Sequence, residues 1–332
     1  MKTTRLGPDG PEISQFGLGA MSFAGIYGNS TLEEAFAVLD ACEAAGVSHI
    51  DTAAAYGEGR SEEIVGQWLA ARPGSRDKTT IATKAAFREQ ADGSRRISND
   101  PDYMEATLDA SLSRLGIETV DLFYAHRLEP GRAIEEVAGE MGRLVEKGKA
   151  RAIGFSEIAP TSLRRAVAAY PVAAVQSEYS LSTRYPELGL VQTCEELGVA
   201  LVAFSPVGRT LLTDTPFGRD RLDEIPFLKG NPRFQEPNYS ANIRITDGFR
   251  ALAREMGEPA AALTIAWLVA QGGHVVPIPG TKSVAHLGEL LRGMELSLSA
   301  ADLDAIERVL PVGWAHGDRY NEAQWVGPEK YC

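Results

Sequence analysis

The chain has 332 residues, 44% hydrophobic and 23% charged, an ordinary balance for a globular protein with a sizeable core, in one large domain or two smaller ones. Its net charge of −12 disfavours a nucleic-acid backbone or an anionic membrane as partner. The longest mostly apolar run, residues 260–270, is shorter than the roughly 20 residues that cross a bilayer and predicts a buried helix.

Residues 3–6 and 12–16 flank a Gly-Pro-Asp-Gly turn and predict a small N-terminal hairpin. An alternation of strands and helices follows. Strand 16–19 leads to a helix capped by Thr31, with Glu34 completing a capping box and Leu32, Phe36, Leu39 and Cys42 on one face. Strand 47–51 precedes helix 61–71, strand 79–83 precedes helix 102–115, and strand 120–125 precedes helix 133–147. Strands 150–155, 173–177 and 199–205 alternate with helices 160–169 and 187–197. Helices 247–256 and 259–271, strand 275–278, and helices 284–291 and 300–310 complete the series.

About eight strand-then-helix units with short connections imply a parallel sheet, and near-continuous apolar strands such as VDLFYA and ALVAF imply burial on both faces. The expected fold is a (β/α)8 TIM barrel over residues 1–332 as one domain, with an N-terminal β-hairpin and a long loop after strand seven. A doubly wound open sheet would normally carry a complete glycine-rich loop after its first strand, whereas Gly17-Leu-Gly19-Ala-Met-Ser22 lacks the third glycine. The long loop, residues 206–245, is rich in Pro, Gly, Arg and Asn, and a connection of that length reads as a lid. The cysteines Cys42, Cys194 and Cys332 form no close pair, and MKTTRLGPDGPEIS has no apolar stretch of the kind that directs secretion. A reducing, cytoplasmic setting is expected.

Barrel chemistry stands where strands end and βα loops begin. Those positions hold Asp51 with Tyr56 in its loop, Lys84, His126, Ser156 with Glu157, Gln176, and Ser205. An Asp, Tyr, Lys and His together can deliver a proton to a carbonyl. Tyrosine, with a pKa of about 10, is a poor acid at neutral pH, and an adjacent ammonium can lower it by roughly 1–3 units. Lys84 is placed to do that, with Asp51 holding the lysine and a neutral His126 orienting the substrate oxygen. This group moves protons but no electrons, so a hydride donor must also bind. His49 alternates with Asp51 on its strand, which leaves a metal-dependent barrel hydrolase as a rival. With only five histidines, the others late and unclustered, His49 reads as core-lining and no metal is expected.

These residues bring the chain to a family. Asp51-Thr-Ala-Ala-Ala-Tyr56-Gly57 with Ser61-Glu62-Glu63 and Gly66, Thr80-Ile-Ala-Thr-Lys84, and Asp121-Leu-Phe-Tyr-Ala-His126 resemble the aldo-keto reductase signatures, in order and at the family's spacings, from Leu6 to Tyr320. The resemblance implies NADPH-dependent reduction of an aldehyde or ketone, with Tyr56 as general acid, Lys84 and Asp51 tuning it, and His126 positioning the carbonyl. It further implies that Ser156, Glu157 and Gln176 hold the nicotinamide carboxamide, Glu157 standing where many members have asparagine. Phe204 matches the aromatic that stacks on the nicotinamide, and Ser205, Pro206, Val207, Gly208 and Arg209 the loop along the pyrophosphate. Gly280, Thr281, Lys282, His286 and Glu289 match the adenosine-phosphate segment at a helix N-terminus, a natural anion site. His286 replaces a usual arginine and Leu290 a usual asparagine, so NADH is a possible second cofactor. Some relatives with this tetrad are non-catalytic, NADPH-binding regulatory barrels, which is the alternative from another class. The expected rim is Met21, Tyr27, Phe87 and Arg127 with part of residues 221–242 or of the tail around Trp325, a mixture suited to an aromatic or sugar-derived aldehyde.

Overall fold

The computed structural model describes residues 1–90 and 92–331. In chain order the elements begin with an antiparallel hairpin, β1 (Thr3–Arg5) and β2 (Glu12–Ser14), then β3 (Gly17–Gly19), α1 (Leu32–Ala44), β4 (His49–Asp51), α2 (Arg60–Ala71) and a one-turn α3 (Ser75–Lys78). Next come β5 (Thr80–Ala85), a second hairpin of β6 (Phe87–Glu89) and β7 (Arg95–Ile97), α4 (Pro101–Leu115), β8 (Leu122–Ala125) and α5 (Ile134–Glu146). Then follow β9 (Ile153–Ser156), α6 (Pro160–Ala169), β10 (Val172–Glu178), α7 (Leu190–Leu197) and β11 (Ala200–Phe204). Short helices α8 (Arg219–Asp223) and α9 (Pro226–Lys229) lead to α10 (Asn238–Glu255), α11 (Ala260–Val269), β12 (Val275–Pro277), α12 (Val284–Arg292) and α13 (Ala300–Val309).

Eight parallel strands run in the order β3-β4-β5-β8-β9-β10-β11-β12. The barrel closes between its first and last strands: the Gly19 amide donates to the Pro279 carbonyl at 3.0 Å, and Gln15 Nε2 donates to the Gly272 carbonyl at 3.0 Å. This seam explains why the first strand reads Gly-Leu-Gly. A Cβ on Gly19 would lie 2.8 Å from the Ile278 carbonyl oxygen, so only glycine lets the two backbones approach. Leu6 and Ile13 of the N-terminal hairpin join the inward-facing Leu122, Tyr124, Val202 and Val276 in one buried cluster, plugging the end opposite the βα loops. The larger core lies between strands and helices, where α11 is buried along nearly its whole length. No described helix is long and apolar enough to cross a membrane.

The structure corrects several expectations. The capping box of Thr31 and Glu34 is present, but the buried face of α1 is Ala35, Val38, Leu39 and Cys42; Leu32 is exposed and Phe36 only partly covered. The helix expected over residues 247–256 begins at Asn238. Its buried stripe, Tyr239, Asn242, Thr246, Phe249 and Arg250, has helical spacing but is largely polar, which hides it from an apolar-periodicity reading. Asn242 donates to the Arg233 and His316 carbonyls, and Arg250 to the Leu211 carbonyl, so these buried groups are satisfied. The loop after strand seven is accordingly shorter than 206–245, and it carries its own small core of Leu211, Leu222, Ile225, Leu228, Phe234 and Tyr239. The hairpin of β6 and β7 was not expected, because FRE and RRI show little apolar alternation. Cys42 and Cys194 are free and buried; Cys332 lies outside the described residues.

Candidate active site

A cleft of about 1260 Å³ opens at the strand ends that carry the βα loops. Asp51, Tyr56 and His126 line it, together with Ser156, Gln176, Phe204 and Ser205, and it continues past Gly280, Thr281 and Lys282 to His286, Glu289 and Leu290. Residues from six stretches of the sequence thus line one cleft.

Lys84 stands at its floor, wholly buried. An ammonium has three donors, and all three are used here. One pairs with Asp51 Oδ1, one goes to the Thr52 carbonyl at 2.8 Å, and one to the Tyr56 hydroxyl at 3.2 Å. Asp51 Oδ2 accepts from Gln176 Nε2 at 2.7 Å, so the carboxylate is fixed on both sides. The His126 ring meets the Tyr56 ring edge-on at 5.7 Å and the Phe87 ring at 4.9 Å, and its Nδ1 has no partner.

The loop carrying Tyr56 is held by the strand beside it: Thr52 and Ala54 amides donate to the Ala82 and Lys84 carbonyls at 2.9 and 3.1 Å. Gly57 turns it back with φ 60°, and a Cβ there would lie 3.1 Å from the Ala24 carbonyl. Ser61 and Glu62 of the signature act from beneath. Ser61 donates to the Ala20 carbonyl at 2.9 Å; buried Glu62 accepts from Arg114 Nε at 2.7 Å and from Thr83, tying α2 to α4 and β5.

The electrostatics revise one expectation. Burial raises the Tyr56 phenol above its ordinary value, and Lys84 offsets this only in part; the net shift is upward, because desolvation of a phenolate outweighs the ammonium. Burial opposes the charge on Lys84, yet Asp51 and Tyr56 more than compensate and raise its pKa. Burial, then Arg127 and Lys84, holds His126 well below the ordinary histidine range, so its imidazole is neutral. Tyr56 therefore keeps its proton at neutral pH beside a cation and a neutral imidazole.

The residues matched to a cofactor divide into two groups. Ser156, Gln176, Phe204, Ser205, Pro206, Val207, Arg209, Gly280, Thr281, Lys282, His286 and Glu289 all line the cleft. Glu157 is turned away: its carboxylate pairs with Arg319 and accepts from the Glu178 amide at 2.8 Å. Gly208 lies in the loop behind the wall, with φ 57°. Lys282 Nζ donates to the Gly28 and Asn29 carbonyls at 3.1 and 2.7 Å, and burial, with Arg221 nearby, lowers its pKa. Arg221 reaches over from α8 to the Tyr27 carbonyl at 3.2 Å. Two converging cations at one end of a long cleft fit a phosphorylated cofactor. Arg221 is a partner that no local pattern marks.

A second feature was not legible in the sequence. Glu157, Glu178, Arg209, Arg233 and Arg319 form a buried ion cluster behind the cleft, linking β10, the loop after β11 and the C-terminal tail. These residues are far apart in the chain and carry no shared motif. Removing one partner of such a cluster costs about 3–5 kcal/mol. Non-glycine residues with positive φ, namely Glu58, Glu157, Ser205, Arg209 and Thr210, also sit in the βα loops around this mouth, where backbone strain tends to gather. Met21, Tyr27, Phe87 and Arg127 line the cleft as expected, while the tail contributes Tyr320, Ala323, Gln324 and Val326. Trp325 instead donates to Asp318 at 2.8 Å.

The sequence profile of the Aldo/keto reductase family matches residues 15–311. A probable aldo-keto reductase of Glycine max is 36% identical over 321 residues, 96% of this chain and 92% of the relative. Aldo-keto reductase yakc of Schizosaccharomyces pombe, whose name gives NADP(+), is 36% identical over 322 residues, 96% and 94% of the two chains. Among solved structures, a glycerol dehydrogenase from Gluconobacter oxydans superposes with a TM-score of 0.80 at 28% identity, over 93% of this chain and 95% of that one. A thermostable aldo-keto reductase in complex with epalrestat gives 0.72 at 28%, over 93% and 100%.

Proposed function

The chain belongs to the Aldo/keto reductase family, and from that premise we propose that it is an NADPH-dependent carbonyl reductase, converting a small aldehyde or ketone to its alcohol, reversibly, with Tyr56 as the proton donor. The observation that carries this reading is Lys84, which holds Asp51, the Thr52 carbonyl and the Tyr56 hydroxyl at once.

Bound NADPH supplies the hydride. The chain's own residues do the rest. The neutral His126 hydrogen-bonds the carbonyl oxygen and aims it at Tyr56. Tyr56 gives up its proton as negative charge develops on that oxygen, and Lys84, already hydrogen-bonded to the phenol, stabilises the phenolate left behind. Asp51, pinned by Gln176, keeps the lysine in place. Ser156 and Gln176 would hold the nicotinamide amide, Phe204 would offer it an apolar face, and Ser205, Pro206, Val207 and Arg209 would line the pyrophosphate. Lys282, with Arg221, would meet the 2′-phosphate and favour NADPH over NADH; His286 and Glu289 would flank the adenosine. Glu157, committed to Arg319 and the Glu178 amide, would not reach the cofactor. The free buried thiols Cys42 and Cys194 support a cytoplasmic setting, with residues 1–332 working as one barrel domain.

The test is turnover of a panel of aldehydes and ketones with NADPH, followed by loss of the reduced nicotinamide's absorbance. Steady consumption with alcohol formed in equal amount is expected. Tight NADPH binding with no turnover on any carbonyl would favour a redox-sensing regulatory barrel.

A further inference from the structure

Lys282 and Arg221 have a phosphate to meet, but the opposite end of the cleft is also cationic. Arg127, Arg95 and Arg96 line it. Arg127 follows His126 directly, and its Nη1 donates to the His126 carbonyl at 2.6 Å and to Ser156 Oγ at 3.2 Å. Its Nε and Nη2 engage no acceptor among the described residues, which leaves one edge of the guanidinium uncommitted. Arg96 stands directly across the hairpin from Arg88, a like-charge pairing that is unfavourable on a two-stranded ribbon. Arg88 lies over the Tyr103 ring, whereas the Arg96 side chain has no hydrogen bond or ion pair among the described residues. Arg95 has an exposed contact with Glu58 at 3.1 Å, the kind of pair that holds little energy.

The acidic groups nearby offset these charges only in part. Glu129 lines the same end and keeps its charge, but it is one carboxylate against three guanidiniums; Asp51 is neutralised by Lys84 and Glu157 by Arg319. The chain as a whole carries −12, a field that repels anions unless a local patch reverses it. Guanidinium groups with free planar edges match carboxylate and phosphate oxygens in pairs.

We propose that the carbonyl substrate carries an anionic group, a carboxylate or a phosphate, seated by Arg127, with Arg95 and Arg96 drawing it in from the hairpin. The group is a handle and takes no part in the chemistry, and the inference rests on the carbonyl-reductase reading. Arg127 follows His126 in the chain and is held to the His126 carbonyl and to Ser156, so a group seated on its free edge would lie beside the tetrad.

Matched probes test this: 4-carboxybenzaldehyde against its methyl ester, and glyceraldehyde 3-phosphate against glyceraldehyde. The charged member of at least one pair should show a kcat/KM about tenfold or more above its neutral partner, the worth of a charged hydrogen bond. Which pair responds tells carboxylate from phosphate. The ratio should collapse in Arg127→Met and shrink in Arg96→Gln, whose exposed hairpin site spares the fold, and the KM of the charged member alone should rise with salt. Equal kcat/KM within both pairs, or a ratio that neither variant moves, overturns the inference. Reduction of the neutral members alone does the same and leaves the reductase reading standing. Reduction of none of the four with NADPH would sink that reading and this inference with it.

Discussion

Replacing Lys282 by alanine separates a phosphate contact from a structural one. The lysine's three donors are divided: two hold the Gly28 and Asn29 carbonyls at 3.1 and 2.7 Å, and one remains for the 2′-phosphate. Loss of a charged hydrogen bond costs about 1.5–3 kcal/mol, or roughly 10–150-fold in affinity. Lys282 is partly open to solvent and Arg221 persists beside it, so screening and the second cation put the expected loss near tenfold, the lower end. The turn at residues 28–29 loses the same two hydrogen bonds whichever cofactor binds, so that cost cancels in the NADPH-to-NADH ratio. Titrating both cofactors against protein fluorescence gives the two dissociation constants directly. NADPH should weaken by about this factor while NADH stays nearly unchanged. Equal weakening of both would show that Lys282 only braces the Gly28 turn, and the NADPH preference would lose its main support.

Three further expectations follow from the geometry. In reduction, Tyr56 must be protonated and His126 neutral; since burial raises the first and lowers the second, the rate should stay level from about pH 6 to 9, and a limb at ordinary histidine pKa in the pH–rate profile would contradict the assignment. Gly19→Ala sets a Cβ 2.8 Å from the Ile278 carbonyl at the closing seam and should cost about 1–3 kcal/mol, seen as a lower urea midpoint with unchanged slope; an unshifted midpoint would mean the seam gives way freely. If the loop after β11 clasps the cofactor, NADPH should protect it from proteolysis, and equal cleavage with and without cofactor would mean it does not.

The strands were legible because strands covered on both faces are apolar without interruption, as in Leu122–Ala125 and Ala200–Phe204. Lys84 and His126 stood out for the same reason, as ionisable groups ending apolar runs. The start of α10 was hidden because Asn242, Thr246 and Arg250 are buried through hydrogen bonds rather than apolar contact. The ion cluster around Glu178, and the approach of Arg221 to Lys282, join residues distant in the chain, which periodicity and short motifs do not register. The Tyr56 shift was misjudged because the adjacent ammonium is visible in the motifs, whereas the depth of burial opposing it depends on packing from several loops.

The most direct test of the central claim is single-turnover reduction of the best carbonyl substrate by Tyr56→Phe with NADPH already bound, set against the unmodified protein. Loss of the proton donor should slow oxidation of the bound nicotinamide by about 10²–10⁴-fold and leave the NADPH dissociation constant nearly unchanged. A Tyr56→Phe rate within a factor of about two of the unmodified protein, far less than general acid catalysis contributes, would contradict the assignment of Tyr56 as the acid.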